Sequence, residues 1–349
     1  MLVNVVKIVI VSEMGITLIM TKYFDRIQGI TEFFLTKQKI RKYNKYKKHK
    51  NKNPVVDWIE AFLWAAMVVL LINQYLFQAY QIPSGSMINT LLIKDRIFVN
   101  KMIYGPELIP GALKVSGLLK PQRGEVIIFE SPTYLSKGPL FDITQRIVYM
   151  LTLSLVDIDK DPDGNPRAHF LIKRAVGVGG DRIKAVNGNL LIRPAGIETW
   201  IEEKDFKQKN RTAAPIRRFI SENEYIFYKK AATAMVYVHH DIQPIASDIE
   251  ALRSLNSFSP DLRMLPDART FHEFRSKIEY SIQAHNQLSR KNYTRYEVGW
   301  YIPEGWIFAI GDNRDNSKDS REFGPVREKR VLGKAMIKYW PLERIGKIR

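Results

Sequence analysis

The 349-residue chain contains no cysteine. This absence excludes disulfide bonds, thiol catalysis, thiolate zinc sites and iron–sulfur clusters. It does not indicate a compartment, because a cysteine-free protein can work on either side of a membrane. The length is enough to bury a substantial core and suggests two or three domains. An apolar fraction of 45% is typical of a globular protein with at most a few membrane spans.

Acidic residues are scarce relative to basic ones, and the net charge is +18. Half of the excess lies in residues 37–52, which hold nine Lys or Arg and no acid. A nucleic-acid-binding protein would carry such charge on a folded face with aromatic residues for base stacking. Tyr43 and Tyr46 are interleaved in the run, but the sequence that follows it favours a membrane. We therefore predict no nucleic-acid partner.

Charged residues are absent from Ala61 to Ile93. The first part of this stretch, residues 61–80, is long enough as a helix to cross a hydrocarbon core of about 30 Å. A buried core helix is the alternative, but the length and the basic run upstream favour a span. We predict a transmembrane anchor over residues 56–80, after an apolar and basic cytoplasmic segment over 1–55. Aromatic residues typical of membrane interfaces lie along it: Trp58, Trp64, Tyr75 and Tyr80.

The basic run also predicts the direction of the anchor. Lys and Arg next to a span are retained on the cytoplasmic side, so the residues after Tyr80 are expected outside the cytoplasm. A cleavable signal peptide is not expected, since about 60 residues precede the apolar stretch. Residues 1–20 are apolar with two charges. They leave three alternatives open: an additional span, an interfacial segment, or an upstream extension with Met14 or Met20 as the start.

Beyond the anchor, short apolar runs are bounded by Gly and Pro, which predicts a mainly β body of several short antiparallel strands. We place this body over residues 81–194 and again over 296–349. Residues 195–295 are richer in charge and include helical stretches, which predicts a partly helical insertion or second lobe. Asn187-Gly188 predicts a two-residue hairpin turn, because both positions tolerate positive φ.

Two segments carry groups that could perform nucleophilic chemistry. Ser84 and Ser86 lie in the run PSGSM directly after the anchor, although such a run is by itself usually only a turn. Lys173 lies in the apolar strand sequence FLIKRAVG, where desolvation would lower its pKa and let a neutral amine accept a serine proton. A strand lysine is by itself more often a surface residue. The adjacent Arg174 cannot act as a base, because a guanidinium stays protonated.

A third segment, residues 311–321 (GDNRDNSKDSR), is almost free of apolar residues and follows an apolar strand. Asp312, Asp315 and Asp319 could supply oxygen ligands to calcium. However, basic residues are interspersed, and no glutamate stands where a helix–loop–helix calcium site requires one. A buried network of Asp–Arg pairs that positions catalytic groups suits this composition better.

Together these segments resemble bacterial type I signal peptidases, also called leader peptidases, which are Ser–Lys serine endopeptidases. The runs PSGSM, RGEVIIFESP, KRAVGVGGD and GDNRDNSKDSR match successive conserved segments of that family in the same order, and the last run is highly specific. The resemblance covers residues 79–194 and 296–342. It implies an enzyme that cuts signal peptides from exported preproteins after an Ala-x-Ala-like site.

The resemblance also implies roles for individual residues. Ser86 would be the nucleophile, Lys173 its general base, and the Ser84 hydroxyl would join the Ser86 backbone N–H in an oxyanion hole. The implied supporting groups are Ser317, hydrogen-bonded to the Lys173 amine, an Asp319–Arg321 ion pair, and Arg174 nearby. Small pockets for Ala-like side chains at the −1 and −3 positions would be lined by Ile82, Met87, Leu91 and Ile172.

No cofactor and no metal are implied by the resemblance. The implied partners are membrane-tethered preproteins with signal peptides and the lipid bilayer, with the secretion machinery as a further candidate. The implied location is the cytoplasmic (inner) membrane, as a single-pass or two-pass protein with its catalytic body on the extracytoplasmic side. Two runs depart from the family pattern: Asn89 stands in place of Pro, and residues 177–181 read GVGGD in place of Gly-x-Pro-Gly-Asp. Both are turn positions, so they put loop conformation in doubt rather than the catalytic pair.

The histidines offer alternative sites, and two rival functions share part of this pattern. His169 is an alternative base, but four residues along a regular strand span about 13 Å, so it and Lys173 cannot serve one serine. His239 and His240 are adjacent, and adjacent side chains in a strand point to opposite faces. No third ligand is obvious, so no metal site is predicted. The rival functions are a soluble self-cleaving Ser–Lys regulator, which the anchor argues against, and a non-enzymatic binding protein, which the occupied catalytic positions argue against.

Overall fold

A computed structural model describes residues 28–29, 31–44, 53–109, 113–152, 155–160, 164, 167, 169–209, 216–259, 261–262 and 265–348. The three alternatives for residues 1–20 therefore lie outside the described residues, as does the second half of the basic run. The chain divides into two compact units, Met1–Ala66 and Met67–Arg349. In the first unit, residues 31–44 are helical and exposed.

Helix α1 covers Pro54–Tyr75 and is the one helix of the described ranges that is long and apolar enough to cross a membrane. The Asn53 side chain accepts the Val55 N–H at 3.1 Å, and Pro54 occupies the first helical position, which together favour a helix start here. Its 22 residues span about 33 Å. Large apolar side chains such as Trp58 and Phe62 are exposed along it.

The predicted anchor over residues 56–80 is thus wrong at its C-terminal end. The helix ends at Tyr75, and Phe77–Gln81 forms strand β1. Gln78 and Tyr80 are buried there, and the Tyr80 hydroxyl donates to Gln78 Oε1 at 2.9 Å. An apolar run could not distinguish an exposed apolar helix from a buried strand, because both are uncharged.

The body of the second unit is an antiparallel sheet, as the sequence predicted. Within the described residues it has eight strands, in the order β1-β2-β13-β5-β6-β11-β12, with β14 paired to β13. Strand β6 lies between β5 and β11, so Lys173 pairs with Ile127 on one side and Arg174 with Ile310 on the other. The strand bounds are Arg96–Asn100 (β2), Val126–Glu130 (β5), Phe170–Gly177 (β6), Trp306–Ile310 (β11), Val326–Arg327 (β12), Val331–Trp340 (β13) and Gly346–Lys347 (β14). A separate pair consists of Glu107–Ile109 (β3) and Leu113–Lys114 (β4), and helix α2 covers Pro139–Leu151.

A second sheet has the order β10-β7-β8-β9 in the described part of the chain. Its strands are Arg182–Val186 (β7), Asn189–Arg193 (β8), Ile201–Glu202 (β9) and Trp300–Tyr301 (β10). The hairpin turn between β7 and β8 is confirmed, since Asn187 and Gly188 have φ of 47° and 71°. Residues 182–193, which the sequence placed in the main β body, therefore belong to this second sheet, where β8 pairs with β9 of the 195–295 segment and β7 pairs with β10 of the 296–349 segment.

The 195–295 segment is largely helical, with Glu203–Lys209 (α3), Glu222–His239 (α4), Ala246–Phe258 (α5), Ala268–Ile282 (α6) and Gln287–Val298 (α7). We call residues 216–298 the helical lobe. Ser221 and Glu224 form a capping box at the start of α4. The lobe has its own apolar core, in which Tyr228, Leu255 and Phe271 meet. Helix α4 therefore packs against α5 and α6 independently of the main sheet.

This separate core predicts a stability effect. Phe271 is fully buried, so Phe271→Ala should lower the free energy of unfolding by about 3–5 kcal/mol through lost apolar contact and a cavity. Ile226, 56% exposed on α4, is the control, and Ile226→Ala should change it by less than about 0.5 kcal/mol. Urea unfolding in detergent, followed by the far-UV circular dichroism of the helices, measures both. Equal losses in the two variants would contradict the assigned core.

Candidate active site

Ser86 lies in a one-turn 3-10 helix, Gly85–Met87, that follows strand β1. The first N–H groups of a helix have no acceptor within it, so the Ser86 N–H is available to a ligand. Asn313 fixes the backbone of this turn through two hydrogen bonds. Its backbone N–H donates to the Ser86 carbonyl and its side-chain amide to the Gly85 carbonyl, both at 3.0 Å. The hydroxyl of Ser86 therefore sits on a turn with fixed backbone contacts.

Lys173 approaches Ser86 from strand β6. Its Nζ lies 2.7 Å from Ser86 Oγ and 3.0 Å from the Ile172 carbonyl oxygen. The residue is 3% exposed. Burial lowers the pKa of Lys173 to about 8, although the carboxylates of Asp319 and Asp312 act in the opposite direction. The neutral form of this amine is therefore far more accessible near neutral pH than that of an ordinary lysine.

Arg174, the next residue of β6, points to the other face of the strand. Its guanidinium donates to both carboxylate oxygens of Asp312, at 2.8 and 2.6 Å. It also donates to the Gly124 carbonyl at 2.6 Å and to the Thr90 hydroxyl at 3.1 Å. Thr90 in turn donates to Asp312 at 2.5 Å. This buried network joins the segment after Ser86, the strand of Lys173 and the start of the 311–321 segment.

The aspartates of residues 311–321 are each paired with an arginine. Asp319 accepts two hydrogen bonds from Arg321 at 2.9 Å and one from the Gly311 N–H at 3.0 Å. Burial by itself would raise the pKa of Asp319, but the Arg321 guanidinium and the Gly311 N–H lower it below its usual range. Asp315 pairs with Arg218 of the helical lobe at 2.6 Å. An arginine network suits this arrangement, and a calcium site does not.

Ser317 lies beside the site but does not make the contact with the Lys173 amine that the resemblance implied. A Cβ on Gly311 would fall 2.2 Å from Ser317 Oγ and 2.5 Å from the Ser86 carbonyl oxygen, which shows how tightly these segments pack. Over the residues that the structure describes, the Ser317 hydroxyl has no hydrogen bond to Lys173 Nζ; it lies near the Asp319 carboxylate instead and helps to lower the pKa of Asp319. The bond expected from Ser317 to the Lys173 amine is therefore not formed in this structure.

Ser84 and Ser86 face a cavity of about 520 Å³ that Lys173, Tyr134 and Leu171 also line. The two serine hydroxyl oxygens are 3.5 Å apart. Of the predicted substrate-pocket residues, Ile82 and Ile172 line an adjoining apolar pocket of about 610 Å³. Met87 and Leu91 are fully buried in the same core cluster and line neither cavity, because they pack inward against Ile97 and Val126.

His169 lies away from the Ser86–Lys173 contact and faces Asp159, with 2.7 Å between Nε2 and Oδ2. His239 and His240 do not lie in a strand. His239 is the last residue of α4 and His240 caps it, so the strand argument about opposite faces is wrong for them. The ligand atoms of this pair and of Glu279 lie within 4.8 Å of one another. A third potential ligand therefore exists, on a helix that sequence spacing could not connect to the pair.

Sequence reasoning missed several residues that hold the site. The sequence predicts no role for Asn313, Thr90 or Glu203. It predicts an Asp–Arg network without indicating that Asp312 pairs with Arg174. Glu203 in α3 binds Arg314, with Nη2 2.6 Å from Oε1. The available signal was the arginine content of residues 311–321, since each buried arginine needs an acidic partner. The identity of that partner depends on the fold.

The Arg174–Asp312 pair predicts a stability effect. Asp312→Asn would leave Arg174, 1% exposed, without its counter-charge, and should lower the free energy of unfolding by about 3–5 kcal/mol. Glu297, half-exposed and 3.8 Å from Lys277, is the control, and Glu297→Gln should cost less than about 1 kcal/mol. Urea unfolding compares the two variants. A loss in Asp312→Asn no larger than in Glu297→Gln would contradict the proposed importance of the pair.

Known signal peptidases are similar to this chain over most of its length. A family model described as signal peptidase, peptidase S26, matches residues 55–340. Signal peptidase I of Haemophilus influenzae is 29% identical over 288 residues, covering 82% of this chain and 70% of that protein. Signal peptidase I of Aquifex aeolicus is 27% identical over 287 residues, covering 81% and 82%. Since the family match includes most of the chain, this protein belongs to the peptidase S26 family of signal peptidases, which are serine endopeptidases.

Proposed function

We propose that Ser86 and a neutral Lys173 hydrolyse the peptide bond that follows the signal peptide of exported preproteins. The observation that carries this proposal is the 2.7 Å contact between Lys173 Nζ and Ser86 Oγ inside a buried site. A serine hydroxyl is a weak nucleophile until a neighbouring base accepts its proton. Burial lowers the pKa of Lys173 to about 8, so its amine can accept that proton.

The reaction proceeds as acyl transfer. Ser86 Oγ attacks the scissile carbonyl carbon while its proton moves to Lys173 Nζ. The ammonium then donates this proton to the leaving amine, which breaks the peptide bond and leaves an ester on Ser86. Lys173 then takes a proton from water, whose oxygen attacks the ester carbon. The Lys173 ammonium returns this proton to Ser86 Oγ as the ester bond breaks, which releases the signal peptide with a new carboxyl group and restores the serine and the neutral lysine.

The negative charge on the carbonyl oxygen needs donors fixed before the reaction. We assign this role to the Ser86 backbone N–H and the Ser84 hydroxyl. Asn313 supports it by holding the carbonyl groups of Gly85 and Ser86, which orients the N–H of the turn. Asp319, Arg321 and the Arg174–Asp312 pair serve as positioning residues, and Ser317 would contact the Lys173 amine only after a side-chain rotation.

Substrate selection is assigned to the apolar surface next to Ser86. Ile82 and Ile172 supply the wall of the pocket for a small side chain. Met87 and Leu91 belong to the same core cluster as Ile82 and Ile172, and they support that wall without lining the pocket. A small Ala-like side chain suits a site whose walls are backed by a close-packed core.

The location follows from the anchor. We propose that α1 crosses the cytoplasmic membrane and that the β body lies on the extracytoplasmic side, because residues 37–52 carry basic charge before the helix. The exposed side chains of Leu92 and Ile93 would face the bilayer near the site. A preprotein held in the membrane by its own apolar segment would present its cleavage site at this level. We treat the 195–295 segment as an insertion in the catalytic body.

Substitution of the catalytic pair tests this proposal. Ser86→Ala and Lys173→Met should each reduce cleavage of a preprotein with an Ala-x-Ala site by about 10⁴-fold or more, because nucleophile and base act as a unit. Lys101 is the matched control. It is also buried, with a pKa lowered by desolvation to about 8, but its Nζ lies 3.4 Å from the Gln74 carbonyl oxygen. Lys101→Met should keep activity within a few-fold, whereas full activity in Lys173→Met would rule out this base.

The dependence of the rate on pH gives a second test. The base must be neutral, so kcat/KM should rise with pH, with a midpoint near the Lys173 pKa of about 8, and level off above it. Initial rates on the same preprotein from pH 6 to about 10 measure this profile. Lys101→Met should leave the midpoint in place. If the chemical step limits the rate, a kcat/KM that does not change across this pH range would contradict a lysine base.

A further inference from the structure

A cluster of metal-ligating side chains lies in the helical lobe. His239 ends helix α4, His240 caps it, and Glu279 lies near the end of α6. One ligand atom from each residue lies within 4.8 Å of the other two. Glu279 Oε1 and His240 Nε2 already meet at 2.7 Å. Two imidazoles and a carboxylate form a ligand set that binds zinc with one coordination position left for water or another group.

The helix arrangement favours a cation at this point. Helices α4 and α6 run in parallel, since Tyr228 contacts Phe271 near their N-terminal ends and His240 contacts Glu279 near their C-terminal ends. The C-terminal end of a helix carries partial negative charge from its unpaired carbonyl groups. Two such ends and the Glu279 carboxylate therefore surround the cluster with negative potential. Arg275, which lines the neighbouring pocket, carries one positive charge and offsets part of this negative potential.

The surroundings of the cluster also match what a metal site requires. Gln283 Nε2 lies 3.3 Å from His240 Nδ1. If the Gln283 side-chain amide is rotated by 180°, its oxygen accepts the Nδ1 hydrogen of His240. The Nε2 lone pair of His240 is then free for a metal. A pocket of about 670 Å³, lined in addition by His272, Ser276 and Tyr296, opens beside the cluster. Water or a further ligand can enter from this pocket.

We propose that His239, His240 and Glu279 bind one divalent transition-metal ion, with Zn²⁺ as the best match to the ligand set. Tetrahedral zinc with bonds of about 2.1 Å holds its ligand atoms about 3.4 Å apart. The cluster reaches this spacing when the His240–Glu279 contact lengthens and His239, which is exposed, turns inward. The ion replaces the direct contact between His240 and Glu279.

The metal would connect the C-terminal ends of α4 and α6. The residues just before the N-terminal ends of these two helices contact the 311–321 segment. Asp315 accepts hydrogen bonds from the N–H groups of Phe219 and Ile220 just before α4, at 2.7 and 3.0 Å. The Asp267 N–H, just before α6, donates to the Asp315 carbonyl at 2.8 Å. A metal link at the other end would therefore stabilise the lobe along its length. This inference does not depend on the catalytic roles proposed above.

Direct binding of Zn²⁺ tests the site. Full-length protein without a histidine tag, purified in detergent and freed of metal, is titrated with Zn²⁺ by calorimetry. The parent should bind one equivalent. A hundredfold excess over Kd should raise the midpoint of thermal unfolding by about 5 °C. Co²⁺ should bind in its place and give the visible absorption of a tetrahedral N/O site.

Three variants decide between a metal site and a plain ion pair. His239→Ala and Glu279→Gln should each weaken Zn²⁺ binding by at least about 100-fold. His239 is exposed and Glu279→Gln keeps the side-chain shape, so both should fold. His285→Ala, which removes an exposed histidine of the same lobe outside the cluster, should bind as the parent does. No Zn²⁺ binding by the folded parent, or unchanged binding in both cluster variants, would overturn the proposal.

Discussion

The buried contact between Arg174 and Asp312 is the interaction on which the catalytic region depends. A charge in the interior is costly unless it is paired and its remaining hydrogen-bonding groups are satisfied. Here the guanidinium meets a carboxylate, a carbonyl and a hydroxyl, which come from three separate segments of the chain. Because the pairing works only when those segments meet in one register, it specifies where Ser86 and Lys173 lie.

Strand geometry gives Lys173 and Arg174 opposite surroundings although they are adjacent. Alternate residues of β6 face opposite sides, so the arginine reaches its counter-charge while the lysine enters an apolar environment beside Ser86. The lower pKa of Lys173 means that the folded chain binds fewer protons than the unfolded chain between about pH 8 and its ordinary value of 10.5. Stability therefore rises with pH across this window, and the cost of desolvating the ammonium is present in full below it. Burial of Lys173 thus lowers the stability of the protein, and in the proposed mechanism it favours the neutral amine that accepts the serine proton.

The helical lobe is connected to the catalytic segment by specific contacts as well as by the chain. Arg218 and Asp315 form an ion pair, and Arg217 and Asn313 form a backbone bridge in which the Arg217 N–H donates to the Asp312 carbonyl at 2.8 Å. Asn313 is the same residue that holds the Ser86 turn. A change in the position of the lobe would therefore reach the Ser86 turn through Asn313 and the segment after it through Asp312, which gives the lobe a direct physical link to the site.

The sequence by itself determined the family, the catalytic candidates and the mainly β character, because short motifs and local periodicity are encoded in neighbouring residues. The Asn187-Gly188 turn was also predictable, since its backbone angles depend on those two residues alone. Only the tertiary structure decided where the apolar helix ends, that residues 182–193 join a second sheet, and that Glu203 and Arg218 bind residues of the 311–321 segment. The same holds for Glu279, which lies 39 residues from His240 yet within contact distance. These features depend on which distant segments pack together, and composition and spacing along the chain carry no direct record of that.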